Sequence, residues 1–256
     1  MSALPLRAYE ASIVRFRRSW RGSIATGFIS PVLYLAALGV GLGTFVNRSA
    51  HAPGGGSYLS FVAPGLVAAT AMQIASVESS YPVMAGIKWW GTYPAMLATP
   101  LRIRDLVFGH QLFVATRVLL STVMYLAVIA AFGGIHSGLT PLAVFGALLT
   151  GLAFSGPIAA YAAHAKNDGA FAPMFRFAIV PMFLFSGTFY PVTRLPGALQ
   201  WVAYATPLWH GVELCRDLTL GPAHALDDLG HAGYLLVWGV AGVLLALRTH
   251  RRRLTP

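Results

Sequence analysis

Charged residues are scarce in this sequence, and their scarcity excludes most water-soluble folds. Only 10% of the 256 residues are charged and 56% are hydrophobic, whereas a soluble domain carries about a quarter charged residues. The chain has one cysteine, Cys215, so an internal disulfide or a site built from several cysteines is excluded. The composition therefore predicts an all-α integral membrane protein.

Sequence motifs for nucleotide binding and for common hydrolytic reactions are also missing. The two lysines, Lys88 and Lys166, are followed by Trp89 and Asn167, so neither fits the Gly-Lys-Ser/Thr of a P-loop. The sequence contains no His-Glu-x-x-His zinc motif and no Gly-x-Ser-x-Gly nucleophile elbow. We therefore expect no catalytic residue, no metal site and no cofactor bound by this chain.

Six apolar stretches are long enough to cross a bilayer, which takes about 20 residues of α-helix. They extend approximately over residues 24–46, 58–77, 112–132, 139–163, 171–190 and 230–247. The third stretch contains Arg117 and the fifth contains Arg176. We expect all six to be transmembrane helices of one membrane domain that covers residues 1–256.

The positions of arginine and lysine predict the orientation in the membrane. Five arginines precede the first span and four follow the last, so the positive-inside rule places both termini in the cytoplasm. With six spans, 13 of the 18 basic residues lie inside, 3 outside and 2 within spans. Because these residues flank apolar runs and form no basic stripe, the net charge of +10 indicates no nucleic-acid partner.

The segment 195–212 is uncharged and almost long enough to span, but prolines interrupt it. A seventh span would move the arginine-rich C-terminus outside, so we interpret the segment as broken, re-entrant helices that dip into the outer leaflet. The residues that we assign to this outer re-entrant region are Phe189, Tyr190, Pro191, Pro196, Trp201 and Pro207.

Residues 5–21 have the pattern of an amphipathic helix. Alternating spacings of three and four residues place five apolar side chains on one face. These are Leu6, Tyr9, Ile13, Phe16 and Trp20. The pattern predicts an interfacial helix on the inner leaflet, with its arginines near anionic lipids. It serves either as a topology anchor or as a lever between a cytoplasmic partner and the first span.

The loop 81–105 is the longest predicted cytoplasmic connection, and it is rich in bulky apolar residues. Thr92 as a cap, Pro94 in the first turn and Pro100 after the end predict one short helix. Its apolar surface either docks a partner or packs against the protein's own helices. The residues of this candidate docking site are Thr92, Tyr93, Pro94, Met96, Leu97, Thr99, Pro100 and Leu101.

Three ionisable residues, Glu78, Arg117 and Arg176, lie in or at the ends of the predicted spans. Charges are costly in lipid, so such residues require an explanation. Two interpretations remain open. Either the groups reach the inner interface or pair with one another, or they contact a substrate and take part in gating.

Several runs, in their order and spacing, resemble ABC-2 type exporter permeases. The likeness is greatest to the nodulation lipo-oligosaccharide exporter permeases and their drug-resistance relatives, and it covers nearly the whole chain. The matching runs are residues 30–35, 39–43, 58–66, 185–192, 195–196 and 205–208.

This resemblance implies a function and partners. Two such subunits would form the pathway, and two copies of a separate ATPase, which binds ATP and Mg, would dock below. Residues 92–101 would be the coupling helix, although Pro94 stands where relatives usually have glutamate. The implied function is outward transport, across the bacterial cytoplasmic membrane, of an amphiphilic or hydrophobic substrate such as a lipo-oligosaccharide, a glycolipid or a drug.

Two other functions fit the sequence less well. An ion-coupled secondary carrier requires ion sites near the middle of the bilayer, and Glu78 is the only acidic residue in the inner and middle parts of the predicted spans. An integral-membrane lipid-modifying enzyme requires clustered histidine, aspartate or glutamate at one interface, and the sequence offers no convincing cluster.

Overall fold

The computed structural model describes residues 4–46, 57–133, 137–221 and 225–255, and all regular structure in these ranges is helical. Two π-helical segments, Leu35–Leu42 and Phe175–Ile179, join α1 to α2 and α8 to α9. In chain order the α-helices are α1 (Leu4–Tyr34), α2 (Gly43–Val46), α3 (Tyr58–Ser79), α4 (Tyr81–Lys88), α5 (Thr92–Leu97), α6 (Ile103–Ala131), α7 (Ala143–His164), α8 (Phe171–Met174), α9 (Val180–Phe185), α10 (Gly197–Tyr204), α11 (Pro207–Leu220) and α12 (Ala225–Leu254).

Five helical stretches in the described ranges are long and apolar enough to cross a membrane. They are Tyr58–Lys88, Ile103–Ala131, Thr140–His164, Asp168–Phe185 and Ala225–Leu254. A shorter apolar stretch, Val32–Phe45, lies within the predicted first span. The protein is therefore a helical integral membrane protein, as its composition predicts.

The helix predicted to begin near residue 112 begins nine residues earlier, at Ile103. The backbone N–H of Arg102 donates to the carboxylate of Asp105 at 2.9 Å and so caps the first turn of α6. The first turn contains charged residues, so a search for long uncharged apolar runs does not include it. Within these additional turns Gly109 lies close to α1, since a Cβ on it would be 2.6 Å from the Cβ of Ala8.

The predicted boundary between an interfacial helix (5–21) and a first span (24–46) is absent, because α1 runs without a break from Leu4 to Tyr34. The Thr116 hydroxyl donates to Tyr9 Oη at 3.2 Å, and the rings of Phe16 and Phe113 are 6.3 Å apart. The apolar face of α1 thus packs partly on α6. The predicted position of this helix on the inner leaflet stays a prediction, and Trp20 at its end is 45% exposed.

Helix α7 lies at the centre and contacts α3, α6, α11 and α12. Its contact with α12 is the closest. A Cβ added to Gly156 would lie 2.6 Å from the backbone carbon of Gly242, and one added to Gly242 would lie 2.2 Å from Pro157 Cδ. Only glycine permits this approach of two helices.

The segment 195–212 forms two helices, α10 and α11, with a break at Ala205 and Thr206. The Thr206 hydroxyl accepts from the backbone N–H of Trp209 at 3.4 Å and caps α11. Helix α11 continues eight residues past the predicted end, to Leu220, and packs against α3, α7 and α12. Its charged residues at 213, 216 and 217 had concealed this extension.

Candidate functional site

The short helix α5 follows α4 and precedes α6 in the chain, and it contacts both. Gly91 precedes it with φ of +60°, a left-handed conformation that glycine adopts without strain. Thr92 was predicted to be the cap, but it is the first helical residue, and its hydroxyl lies 3.5 Å from the carbonyl oxygen of Gly86. The chain reverses direction between α4 and α5 at a residue with positive φ, so the N-cap is Gly91 and not Thr92.

Tyr93 attaches α5 to the rest of the protein. It is buried, and a Cβ on Gly86 of α4 would lie only 2.8 Å from its ring. Its ring centroid is 6.1 Å from that of His250 on α12. Burial raises the pKa of Tyr93 to about 12, so the phenol stays neutral. The prediction that this residue is presented on an exposed surface is therefore wrong.

The opposite side of α5 is exposed and uncharged. Pro94 and Ala95 are exposed, as are Ala98, Thr99 and Pro100 after the helix, whereas Met96, Leu97 and Leu101 are partly buried. Two neighbouring tryptophans, Trp89 and Trp90, are also more than half exposed. We call Pro94, Ala95, Ala98, Trp89 and Trp90 the α5 apolar surface.

A polar cluster lies above α5, where α1, α3 and α6 meet. Arg117 Nε is 3.1 Å from Glu78 Oε1, and the guanidinium of Arg117 lies 4.4 Å from the ring centroid of Phe16. Arg15 lies over Trp90 at 4.6 Å. These residues, except Arg117, line a cavity of about 130 Å³ that Tyr93 also borders. The structure therefore places Tyr93 of α5 and the Glu78–Arg117 ion pair close to the same cavity.

Pairing was one of the interpretations left open for these residues, and Glu78 and Arg117 do form an ion pair. Arg176 does not join it. It lies in the π-helical segment Phe175–Ile179, is exposed, and forms no ion pair within the described ranges.

At the opposite end of the bundle, Arg216 of α11 is buried with three contacts. One guanidinium nitrogen donates to Glu213 at 2.6 Å, another donates to the carbonyl of Gly187 at 2.7 Å, and the Cζ atom lies 4.1 Å from the centroid of Phe61. Gly187 has a φ of +83°, which explains glycine in this turn. The sequence pattern placed Arg216 among the three basic residues outside the membrane, and its burial between Glu213, Gly187 and Phe61 was not expected. The only local signal was the spacing of Glu213 and Arg216.

The outer re-entrant residues are divided between packed and exposed positions. Tyr58 Oη donates to the carbonyl of Phe189 at 3.1 Å, and the Phe189 ring packs edge-on against Phe183 at 5.0 Å. Pro207 is buried, and Tyr190 and Pro191 are partly buried. Pro196 and Trp201 are exposed, Trp201 by 78%. This region therefore joins α3 to α9 and leaves a single tryptophan projecting.

A histidine pair links α11 to α12 nearby. His210 Nδ1 is 2.7 Å from His231 Nδ1, and Tyr234 stacks on His210 at 3.9 Å. The two histidines are 21 residues apart and on different helices, so no sequence pattern predicts their contact. Within the part of the chain that the structure describes, no group of three or more His, Cys, Asp or Glu side chains is placed to hold a metal ion.

Comparisons with known proteins agree with this architecture. Residues 8–220 match the family described as ABC-2 type transporter. Nodulation protein J of Rhizobium leguminosarum bv. trifolii is 32% identical over 97% of this chain and 93% of its own length. Nodulation protein J of Rhizobium meliloti strain 1021 is 32% identical over 100% and 98%, and that of Bradyrhizobium diazoefficiens strain USDA 110 is 30% identical over 99% and 97%.

Proposed function

Since the chain belongs to the ABC-2 type transporter family, and is therefore a non-catalytic, multi-pass permease component, we propose that it carries an amphiphilic or hydrophobic substrate outward across the bacterial cytoplasmic membrane. Its similarity to nodulation protein J favours a lipo-oligosaccharide or a related glycolipid. A drug-like amphiphile fits the same almost uncharged spans. The chain binds no cofactor, and ATP and Mg bind to the partner ATPase.

The proposed topology has six spans. Five of them are the long apolar stretches described above. The sixth consists of the C-terminal part of α1, the π-segment Leu35–Leu42 and α2. An even number of crossings leaves both arginine-rich termini in the cytoplasm, as the positive-inside rule requires. In this arrangement α5 lies on the cytoplasmic side, and α10 and α11 form a re-entrant hairpin at the outer side.

The observation that carries the proposal is the geometry of α5. Its inner side contacts α4 and α12 through Tyr93, while the α5 apolar surface is exposed and carries no charge. A surface of this kind is suited to a protein partner. We propose that it is the coupling helix on which the ATPase docks, through apolar contacts at Pro94 and Ala95.

A second permease subunit completes the proposed assembly, together with two ATPase subunits. Only 11% of the residues in Asp168–Phe185 are buried, compared with 78% in the most apolar part of Tyr58–Lys88. Phe177 is 75% exposed. This weakly packed helix offers a large apolar face, and we propose that a second copy of the chain, or a homologous permease, packs there with membrane lipids around the pair.

The decisive experiment is co-purification with a P-loop ATPase encoded beside this chain. The chain alone should show no ATP hydrolysis, and the complex should hydrolyse ATP. Ala95→Asp buries an unpaired carboxylate in the docking surface at a cost of about 1–3 kcal/mol, which lowers complex formation about tenfold for each 1.4 kcal/mol. The matched control is Ala198→Asp on the exposed side of α10, which should leave assembly unchanged.

Reconstituted vesicles separate this function from an ion-coupled carrier. Transport by the complex should require ATP and should persist when ionophores dissipate the proton and sodium gradients. Transport without the ATPase, or equal assembly by Ala95→Asp and Ala198→Asp, would overturn the proposal.

A further inference from the structure

The contact between His210 of α11 and His231 of α12 depends on the protonation of the two rings. Their Nδ1 atoms are 2.7 Å apart, which is hydrogen-bond distance. One Nδ1 must donate its hydrogen, and the other must accept it with a lone pair. When both histidines are protonated, each Nδ1 carries a hydrogen and no acceptor remains. Two cations then face each other, so the contact cannot persist in the doubly protonated pair.

Protons reach the pair through a cavity of about 630 Å³ that opens beside it between α11 and α12. Besides the histidines, the ionisable groups that line this cavity are Glu213 and Asp217 of α11 and Asp227 and Tyr234 of α12. Its described lining contains three carboxylates and neither lysine nor arginine. The cavity is therefore electronegative, and it attracts protons to the histidines.

Each histidine also has a carboxylate on its own helix. Glu213 follows His210 by three residues, and Asp227 precedes His231 by four. At these spacings side chains are neighbours on the surface of a helix. Glu213 accepts from Arg216 through Oε1, and a carboxylate has a second oxygen that accepts as well. Protonation thus replaces one contact between the two helices with an ion pair within each of them.

We propose that the His210–His231 contact is a proton-sensitive connection, and that protonation of both histidines moves residues 225–231 of α12 away from α11. The movement widens the cavity between the two helices and loosens the hold of α12 on the hairpin of α10 and α11. Under the topology proposed above, this hairpin lies at the outer side, so acid outside the cell acts on it. The inference rests on the proposed function for this orientation alone.

The first two turns of α12 are suited to such a movement. Leu226 and Leu229 are 86% and 69% exposed. His231 contacts both His210 and Trp209, whose ring centroid is 5.1 Å away, so two of the contacts to α11 belong to one side chain. The next turn is held independently of charge, because the Tyr234 hydroxyl donates to the Ala205 carbonyl at 2.7 Å. Residues 225–231 therefore move while the rest of α12 stays in place.

The pH range of the movement follows from the surroundings of His210. Burial, and then the nearby His231, lower the pKa of His210 from 6.5 to about 4, against a hydrogen bond with the backbone of Tyr204 that raises it. Because the pKa is lowered in the closed form, that form binds fewer protons than the open one. The contact is therefore fully stable above pH 6.5 and is lost as the pH falls towards 4.

Pulsed electron paramagnetic resonance tests the movement. The full chain in lipid nanodiscs carries spin labels at Ala198→Cys on α10 and Leu229→Cys on α12, two exposed positions, and Cys215 is fully buried and stays unlabelled above pH 6.5. The distance between the labels should increase by several ångström when the pH is lowered to about 4. The matched pair is Ala198→Cys with Val237→Cys, which lies beyond Tyr234 on α12, and its distance should stay constant.

Three variants assign the response to the pair. His231→Gln keeps a polar side chain that cannot be protonated, and it should abolish the response. His231→Lys carries a permanent cation and should give the acid distance above pH 6.5. His164→Gln, at an exposed histidine at the end of α7, should leave the response unchanged.

Two results overturn the proposal. The first is an equal distance at both pH values in the chain with both histidines. The second is a response that persists in His231→Gln, because it would belong to another group, such as the buried His110 or His250. The measurement needs neither the ATPase nor a substrate, so its failure and a failure of the transport assay are distinguishable.

Discussion

Arg117 on α6 forms an ion pair with Glu78 on α3, in which the Nε and Oε1 atoms are 3.1 Å apart. The same guanidinium lies over Phe16 of α1. Three helices therefore meet at one cation, directly above the segment that carries α5. We expect a displacement of α4 and α5 to reach α1 through this contact.

Glu78→Gln should destabilise the protein more than the double variant Glu78→Gln, Arg117→Met. The single variant leaves a cation without its counter-charge in a largely buried position, where the side chains are 17% and 19% exposed. We expect a cost of about 1–3 kcal/mol, below the range for fully buried pairs. Thermal unfolding in detergent measures it. If both variants retain stability but both lose transport, the pair has a role in the transport cycle beyond packing.

Gly86→Ala should impair coupling between ATP hydrolysis and transport. The added methyl would lie 2.8 Å from the ring of Tyr93, so α5 must shift, at a cost of about 1–3 kcal/mol. Hydrolysis by the complex should continue while transport per ATP falls. Gly138→Ala is the matched control, because no atom lies within 4 Å of a Cβ there. Unchanged transport per ATP in Gly86→Ala would contradict the proposed role of the Tyr93 contact.

Arg216→Lys should loosen the outer end of the bundle. Lysine retains the charge but cannot contact Glu213 and Gly187 with a planar fork, and the loss of one buried hydrogen bond costs about 1–3 kcal/mol. The single cysteine, Cys215, is fully buried beside it and reports such opening. Its rate of maleimide labelling should rise several-fold in Arg216→Lys and stay constant in Arg194→Lys, which alters an exposed arginine.

Gly242→Ala should prevent the close packing of α12 on α7. The new methyl would lie 2.2 Å from Pro157 Cδ, and the overpacking costs about 3 kcal/mol. Gly233→Ala on the same helix has open space around its Cβ and should stabilise the helix by about 0.5–1 kcal/mol. Melting temperatures of the two variants should therefore move in opposite directions, and a shift in the same direction would contradict this account.

Hydropathy located the uninterrupted spans well. The stretch predicted at residues 139–163 is observed at Thr140–His164, because a long run of apolar residues without charges has one low-energy form in a membrane. Helix ends that contain charged residues were predicted wrongly, because a charge interrupts the apolar run. The start of α6 near Asp105 and the end of α11 near Arg216 were both placed eight or nine residues too far inward.

The contacts of the candidate site were predicted less completely, because they join distant parts of the chain. Tyr93 is buried against Gly86 and His250, and His250 lies close to the C-terminal end of the sequence. The Gly187 carbonyl, which accepts a hydrogen bond from Arg216, belongs to a residue 29 positions earlier in the sequence. A sequence pattern reports which residues share a helix face, but it does not report which helix lies opposite that face.

The pairing of Arg216 with Glu213 also bears on how the protein is made. An unpaired arginine on a helix that enters a bilayer is costly. Glu213 lies one turn away on the same helix, so the counter-charge is present as soon as α11 forms. Arg216 can therefore enter the membrane already paired, before α3 and the Gly187 turn have closed around it.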